Sequence, residues 1–371
     1  MSDLILPDDL KPADGRFGCG PSKIPAAALA RLGEVGDDLL GTSHRKPRVR
    51  DQVRRLQEGL RTLFSLPGDY EVLLTVGGAT AFWDAATFGL IERRSRHYVF
   101  GEFSSKFAAA ATAAPWLEEP EIVEAPFGAV PAVSLAEDAD VQALTHNETS
   151  TGVMQAVERV GDALVLVDAT SGAAGLPVDP TQLDAYYFSL QKGLASEGGL
   201  TVALLSPDAI ARIERLAASD RYVPAFLDLS TALDNSRKHQ TYNTPSVSTV
   251  FLAAEQVDWL NADLGGLEGV VGLQRDKAGL VYDWAQQRPW ASPFVEDEAA
   301  RSLVVATIDL DEAVSADEVN AVLRANGILD TDAYRKLGRN QLRIGMFPAV
   351  DRADLEAYTA CVDWIVERIG A

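Results

Sequence analysis

The stretch Asp184–Gly193 reads Asp-Ala-Tyr-Tyr-Phe-Ser-Leu-Gln-Lys-Gly, and its reading decides the fold. Tyr186, Tyr187, Phe188 and Leu190 favour a strand, and a run this apolar belongs in a sheet covered on both faces. Lys192 then arrives at the end of that strand, in a turn opened by Gly193. Desolvating an ammonium is costly, and it lowers the amine pKa from a reference of about 10.4. The freed lone pair can then attack a carbonyl. The alternative is a lysine that snorkels back to water, and this stretch alone leaves both readings open.

Upstream, Ala163–Gly175 reads Ala-Leu-Val-Leu-Val-Asp-Ala-Thr-Ser-Gly-Ala-Ala-Gly. Leu164 to Val167 form a second buried strand, and Asp168 stands where it ends. Ligands of open α/β sheets bind outside the carboxyl ends of the strands. A carboxylate and an amine at two such ends suit pyridoxal phosphate: the aspartate keeps the pyridine nitrogen protonated and the lysine carries the aldehyde. Asp168 can instead cap the turn through Thr170 and Ser171.

A phosphate site is needed as well. Tyr70–Val76 reads as a strand, Gly77-Gly-Ala-Thr80 as a turn, and Ala81–Ile91 as a helix. Backbone N–H groups and the helix dipole make an anion site there, with the Thr80 hydroxyl as a further donor. The turn lacks the Gly-Lys-Ser/Thr ending of a P-loop. Further strands are expected at His97–Phe100, Glu121–Glu124, Val141–His146 and Leu200–Leu205, with a helix over Ser104–Ala113. This alternation predicts a large α/β domain with a mainly parallel sheet. A long helical pattern from Gln256 to Gln287, broken at Gly265 and Gly266, leads to a smaller α+β domain. That domain is expected to run strand Ser302–Asp309, helix Ala316–Gly327, strand Gln341–Met346 and helix Arg352–Ile369. The division expected is an N-terminal extension (1–16), a large cofactor-binding domain (17–265, with a loop at 41–48) and a small C-terminal domain (266–371).

Composition narrows the function. A net charge of −21 over 371 residues argues against general nucleic-acid affinity and makes local basic clusters informative. Two such clusters occur. One surrounds His44 and Arg45 in a loop, followed by Arg54, Arg55 and Arg61 on a helix face that reads as solvated. The other is Tyr334-Arg-Lys-Leu-Gly-Arg339 with Arg343. An arginine fork meets carboxylate or phosphate in two-pronged fashion. No signal peptide and no apolar run of membrane-spanning length is read, and the two cysteines, Cys19 and Cys361, lack metal or redox spacing, so the cytoplasm is the expected compartment. His44, His97, His146 and His239 are scattered without ligand spacing, and no metal is expected.

Taken together, Phe17-Gly-Cys-Gly-Pro-Ser-Lys-Ile-Pro25, Ser43-His-Arg45, Gly77–Thr80, His146-Asn-Glu-Thr-Ser-Thr-Gly152, Val167–Ser171, Ser189–Gly193 and Tyr242-Asn-Thr-Pro-Ser246 carry a resemblance. In order and spacing, the chain from residue 17 to its last helix resembles the phosphoserine aminotransferases, within the fold-type I, class V aminotransferases. It looks closest to their actinobacterial branch.

The resemblance implies that Lys192 binds the pyridoxal 5'-phosphate aldehyde and shuttles the proton, and that Asp168 pairs with the pyridine nitrogen. Ala79, Thr80 and Gln191 would hold the phosphate, and Thr149 the hydroxyl side of the ring. Phe103 falls where most members stack a tryptophan. Asn243 and Thr244 would reach the cofactor phosphate of a neighbouring subunit, implying a homodimer with shared sites. Arg343 would clamp the α-carboxylate. His44 and Arg45 would meet the side-chain phosphate or γ-carboxylate, aided by Arg335 of the other subunit, where Tyr334 replaces a common histidine.

The implied reaction passes the amino group of L-glutamate to 3-phosphohydroxypyruvate, giving O-phospho-L-serine and 2-oxoglutarate for serine biosynthesis. The family also acts on a 4-phosphohydroxy-threonine step of pyridoxine synthesis. The rival is another class V enzyme, such as a serine– or alanine–glyoxylate aminotransferase, which shares the lysine and aspartate but has no use for the His44–Arg45 loop. A nicotinamide dehydrogenase would want Gly-x-Gly-x-x-Gly after a strand, and Ser171–Gly175 has the wrong spacing.

Overall fold

A computed structural model describes residues 4–369. After helices α1 (Ala26–Leu39) and α2 (Pro47–Leu63) come β1 (Glu71–Val76), α3 (Ala79–Gly89), β2 (Ser95–Val99), α4 (Glu102–Ala113), β3 (Glu121–Glu124) and β4 (Val141–Thr145). A short hairpin, β5 (Asn147–Glu148) and β6 (Val153–Met154), precedes β7 (Leu164–Asp168), β8 (Ala185–Ser189) and β9 (Leu200–Leu205). Then follow α5 (Pro207–Ala217), α6 (Leu229–Ser236), α7 (Val247–Ala262), α8 (Gly266–Gln286), β10 (Ala291–Pro293), β11 (Val305–Leu310), α9 (Ala316–Ala325), β12 (Gln341–Gly345) and α10 (Arg352–Ile369).

The main sheet has the order β1-β9-β8-β7-β4-β2-β3. Every residue of β4, β7, β8 and β9 is buried, as their unbroken apolar runs require. Alternation along the strands sorts side chains to two cores. Val165, Val167, Tyr186 and Phe188 pack with α2 and α7 through Leu56, Leu60, Ala253 and Val257. Leu164, Leu166 and Tyr187 face α3, α4 and α5 through Phe82, Phe107 and Ile213.

One departure from parallel pairing sets the site. Strand β9 is antiparallel to both neighbours, β8 and β1. Two reversals restore direction, so β1 ends at the same edge as β8, and its Gly77–Gly78 turn opens beside the ends of β7 and β8. Sequence periodicity gave no sign of this reversal, because a buried strand reads alike in either direction.

A three-stranded antiparallel sheet, β10-β11-β12, packs on α8, α9 and α10 to form the smaller layer. Leu6 and Phe17 lie fully within that core. The N-terminal segment is tied there by Phe17 N–H to Leu329 O (3.3 Å), Gly345 N–H to Phe17 O (2.7 Å) and the Asn326 side-chain amide to Leu4 O (2.9 Å). Lys23 is buried between Asp351 (3.0 Å) and Asp354 (3.2 Å) of the C-terminal region. We propose that the smaller unit is residues 266–371 with this N-terminal segment added, and that the larger one ends at the Gly265–Gly266 turn.

Several elements differ from the sequence reading. The helix expected from Gln256 begins at Val247, because α7 is buried almost all round and has no amphipathic period to betray its start. The break at Gly265 and Gly266 is real, with both residues in left-handed backbone (φ 77° and 75°). Helices α5 and α6 and strands β5, β6 and β10 were not expected. Helix α5 carries its own start signal, Ser206, whose hydroxyl accepts from the Ala209 N–H at 3.1 Å ahead of Pro207. The strand expected from Ser302 starts at Val305, since the Ser302 hydroxyl turns back to accept from Val304 and Val305 N–H.

Candidate active site

The carboxyl ends of β4, β7 and β8 place Thr145, Asp168 and Ser189 along one edge of the sheet. There a cavity of about 300 Å³ opens, lined by Lys192, Asp168, Thr149, Phe103, Gln191, Ala79 and Thr80, among others. Seven of the expected residues thus meet in one hollow.

Lys192 is buried, and desolvation lowers its amine to about 8, opposed by the nearby Cys19 and Asp168. Its ammonium donates to Thr149 Oγ1 at 3.0 Å and lies 5.4 Å from the centre of the Phe103 ring. The snorkelling alternative is thereby excluded. Gly20 makes room for this amine: a Cβ there would stand 2.5 Å from Lys192 Cε, and its φ of 137° favours glycine.

Asp168 is buried, and loss of water pushes its carboxyl above the usual range, opposed by donors from Thr170 and Trp83. Thr170 N–H reaches Oδ1 at 2.9 Å, so the capping role and the cavity-facing role coexist. Thr149 donates to Ser171 Oγ at 2.7 Å, and Asn147 Nδ2 donates to the same oxygen at 2.9 Å. A hydroxyl pair thus stands behind the amine.

Phe103 owes its position to Glu148, which the sequence reading left as one member of a polar cluster. The fully buried Glu148 carboxylate caps α4, accepting from the backbone N–H of Phe103 (3.0 Å) and Ser104 (2.9 Å) and from the Ser104 (3.0 Å) and Ser150 (2.7 Å) hydroxyls. A negative charge at a helix start also meets the positive end of its dipole. Ala79 spends its backbone N–H on Ser189 Oγ at 2.9 Å, and those of Ala81 and Phe82 go to Gly78 O, which leaves the first-turn N–H of Thr80, a residue that lines the cavity, without a backbone partner.

Arg343, on β12, is half-buried between Leu342 and Ile344, both fully buried, and faces the opposite way. Its Nη1 donates to Thr149 O at 3.3 Å, its Nε is buried without a partner, and its guanidinium lies 5.3 Å from the Tyr334 ring centre. With Gly20, Tyr334, Arg335 and Lys336 it lines an adjoining cleft of about 1080 Å³. Lys336 and Glu102 pair across this mouth at 2.5 Å.

His44, Arg45, Asn243 and Thr244 line neither hollow. They form their own group on the surface, where His44 Nδ1 and Thr244 Oγ1 are 3.1 Å apart. Burial and the neighbouring Arg45 lower the His44 pKa. The basic helix face on α2 is satisfied within the chain: Arg54 pairs with Asp51 and Arg55 with Glu255. His146, quoted among the motif residues, is structural: it meets Tyr186 OH at 2.9 Å, and burial pushes its pKa to about 4.

The hollow fits a pyridoxal phosphate. Asp168 is a buried carboxylate with no ion-pair partner among the described residues, and a protonated ring nitrogen would balance it. Asn147 Oδ1 and Gln191 Oε1 are lining atoms without hydrogen-bond partners. Such orphans are costly unless a ligand or water meets them. Among the described residues no His/Cys/Asp/Glu cluster could hold a metal ion, and no helix is long and apolar enough to cross a membrane.

The sequence profile described as Aminotransferase class-V matches residues 17–331. The chain therefore belongs to the class-V aminotransferases. Two relatives are named phosphoserine aminotransferase: one from Nocardioides sp. is 56% identical over the whole of both chains, and one from Corynebacterium glutamicum is 55% identical over 99% of this chain and 98% of its own. A crystal structure of a phosphoserine aminotransferase from Cytophaga hutchinsonii superposes with a TM-score of 0.88 at 27% identity, covering 96% of this chain and all of that one.

Proposed function

We propose that the chain transfers the amino group of L-glutamate to 3-phosphohydroxypyruvate, yielding O-phospho-L-serine and 2-oxoglutarate, with pyridoxal 5'-phosphate as cofactor. The observation that carries this is the depressed amine of Lys192 and the buried carboxylate of Asp168 lining one hollow, with Arg343 at its mouth. The full-length relatives favour this reading over the glyoxylate-transaminase alternative.

When bound, the cofactor supplies an aldehyde for the amine and a protonated ring that accepts electrons. The chain's own groups do the rest. Lys192, neutral in a large share of molecules near pH 8, is the nucleophile and then the base that takes and returns the substrate α-proton. Thr149 aims its Nζ from 3.0 Å. Asp168 would hold the ring nitrogen's proton, Phe103 would offer its face to the ring, and Thr80 and Gln191 would receive the phosphate with the start of α3. Arg343, held against Tyr334, offers its unpartnered Nε to the substrate α-carboxylate.

The second anionic end of each substrate calls for cations beyond Arg343, and the chain's own cleft is lined by Arg335, Lys336 and Arg339. His44 and Arg45, with Asn243 and Thr244 beside them, fit a shared site in a homodimer, where one protomer completes its partner's hollow. Arg335, which the resemblance assigns to the other subunit's site, is exposed at the cleft mouth of its own chain and joins the same task. The two buried free thiols suit a reducing cytoplasm.

The test is a substrate panel of phosphoserine, serine, alanine and 4-phosphohydroxy-threonine with 2-oxoglutarate, run on wild type, Lys192→Ala and Arg45→Ala. Lys192→Ala should lose turnover and the cofactor's visible band, and Arg45→Ala should slow phosphorylated donors about a hundredfold more than alanine. Equal losses on all donors would remove the anion-clamp assignment. Turnover by Lys192→Ala would remove the central one.

A further inference from the structure

Asp168 is held from two directions. Its Oδ1 accepts from the Thr170 N–H two residues on, and its Oδ2 accepts from the indole N–H of Trp83 at 2.9 Å. Trp83 belongs to α3, just past the anion-binding turn, and is packed as a wall: its ring stacks on Phe107 with centroids 6.4 Å apart, and Phe107 meets His97 edge-on at 4.8 Å. Any large ring could fill that wall. The indole N–H is the only polar group of the Trp83 side chain, and it is spent on the one carboxylate lining the hollow.

A donor at this place has two physical effects. It favours the ionised carboxylate against the burial that opposes it. It also fixes the plane of the carboxyl group, so that the remaining lone pairs face the hollow. Without it the buried acid gains basicity, and a proton shared with a ring nitrogen shifts toward oxygen.

We propose that Trp83 is a positioning residue of the cofactor site, its indole N–H keeping Asp168 ionised and aimed so that the pyridine nitrogen retains the proton. This rests on the reading that Asp168 faces the ring nitrogen. Trp83 also lines the hollow, but its one polar side-chain atom is engaged by Asp168, so its role is argued through that carboxylate.

The test separates the hydrogen bond from the function. In the 15N-indole spectrum of the cofactor-free protein, which has six tryptophans, the Trp83 signal is assigned by its loss in Trp83→Phe. It should move upfield in Asp168→Ala, where the acceptor is gone. Trp83→Phe should bind pyridoxal phosphate about tenfold more weakly than wild type. In the Asp168→Ala background the same change should alter affinity by less than about twofold, because the two residues act as a unit. Holoenzyme Trp83→Phe should lose kcat with KM nearly unchanged, and the pH midpoint of its visible band should shift. A protein carrying 3-benzothienylalanine at position 83 keeps the ring shape without the donor, and should show the same roughly tenfold weaker binding and loss of kcat whether or not Trp83→Phe folds well.

An indole signal indifferent to Asp168→Ala overturns the proposal while leaving the functional reading intact. Equal weakening by Trp83→Phe in both backgrounds, or wild-type affinity in both donor-less proteins, overturns it too. Failure of the wild-type protein to bind pyridoxal phosphate at all, with the indole shift present, removes the functional reading and the proposal with it.

Discussion

Raising the pH of the cofactor-free protein should activate Lys192 near pH 8, well below the ordinary lysine range. The amine is buried and its pKa falls from 10.5 to about 8. Only the neutral amine attacks an aldehyde. At pH 7 about one molecule in eleven is then neutral, against about one in three thousand for an unperturbed lysine, an advantage of roughly 300-fold. The rate of recombination with pyridoxal phosphate, followed by stopped-flow absorbance under second-order conditions, should rise about fivefold from pH 7 to pH 8 and flatten above pH 9. The sign for stability follows from the same numbers. Between about pH 8 and 10.5 the unfolded chain holds this proton and the folded one does not, so this group's contribution to stability rises with pH across that window and is a full penalty below it. A recombination rate that climbs log-linearly to pH 10 without a plateau would refute the burial argument, because it would mean that the amine is solvated.

Two other perturbations test the scaffold. Glu148→Gln presents an amide NH2 to a set of N–H and O–H donors and removes a charge from the α4 start; it should cost about 2–4 kcal/mol in urea unfolding, and a loss below ~0.5 kcal/mol would contradict the capping role. Gly20→Ala puts a methyl group 2.5 Å from Lys192 Cε in unfavourable backbone, so turnover should fall about a hundredfold while circular dichroism is retained; normal turnover would show that the amine does not occupy the position described.

Much of the site was legible because it sits where apolar runs stop. Asp168 and Lys192 end or follow strands whose burial is written in unbroken Val, Leu, Tyr and Phe, and the Gly77–Thr80 turn announces itself by composition. The residues missed lack such a signature. Trp83 looks like any core aromatic of a helix, and only the fold brings its N–H to Asp168. Glu148 reads as a loop carboxylate, yet it caps a helix 45 residues away from it in sequence at Phe103. His44 and Arg45 stand out as a basic loop in an acidic chain, whereas Asn243 and Thr244 enter only by the resemblance, and a single chain keeps all four apart from the hollow. The antiparallel β9 and the docking of Phe17 against Gly345 depend on pairings between distant segments, which no local pattern records.

The way residues 15–23 are threaded also bears on biogenesis. This segment leads from the Phe17 core to Gly20 at the lysine amine, and Ser22 N–H fastens it to Gln191 O at 2.7 Å. Its anchors, however, are Leu329, Gly345, Asp351 and Asp354, which leave the ribosome well after Lys192. A nascent polypeptide that already displays Lys192 therefore lacks the wall that encloses it. Capture of the proposed cofactor then waits until these anchors have emerged, and chains terminated before them should be unable to retain it.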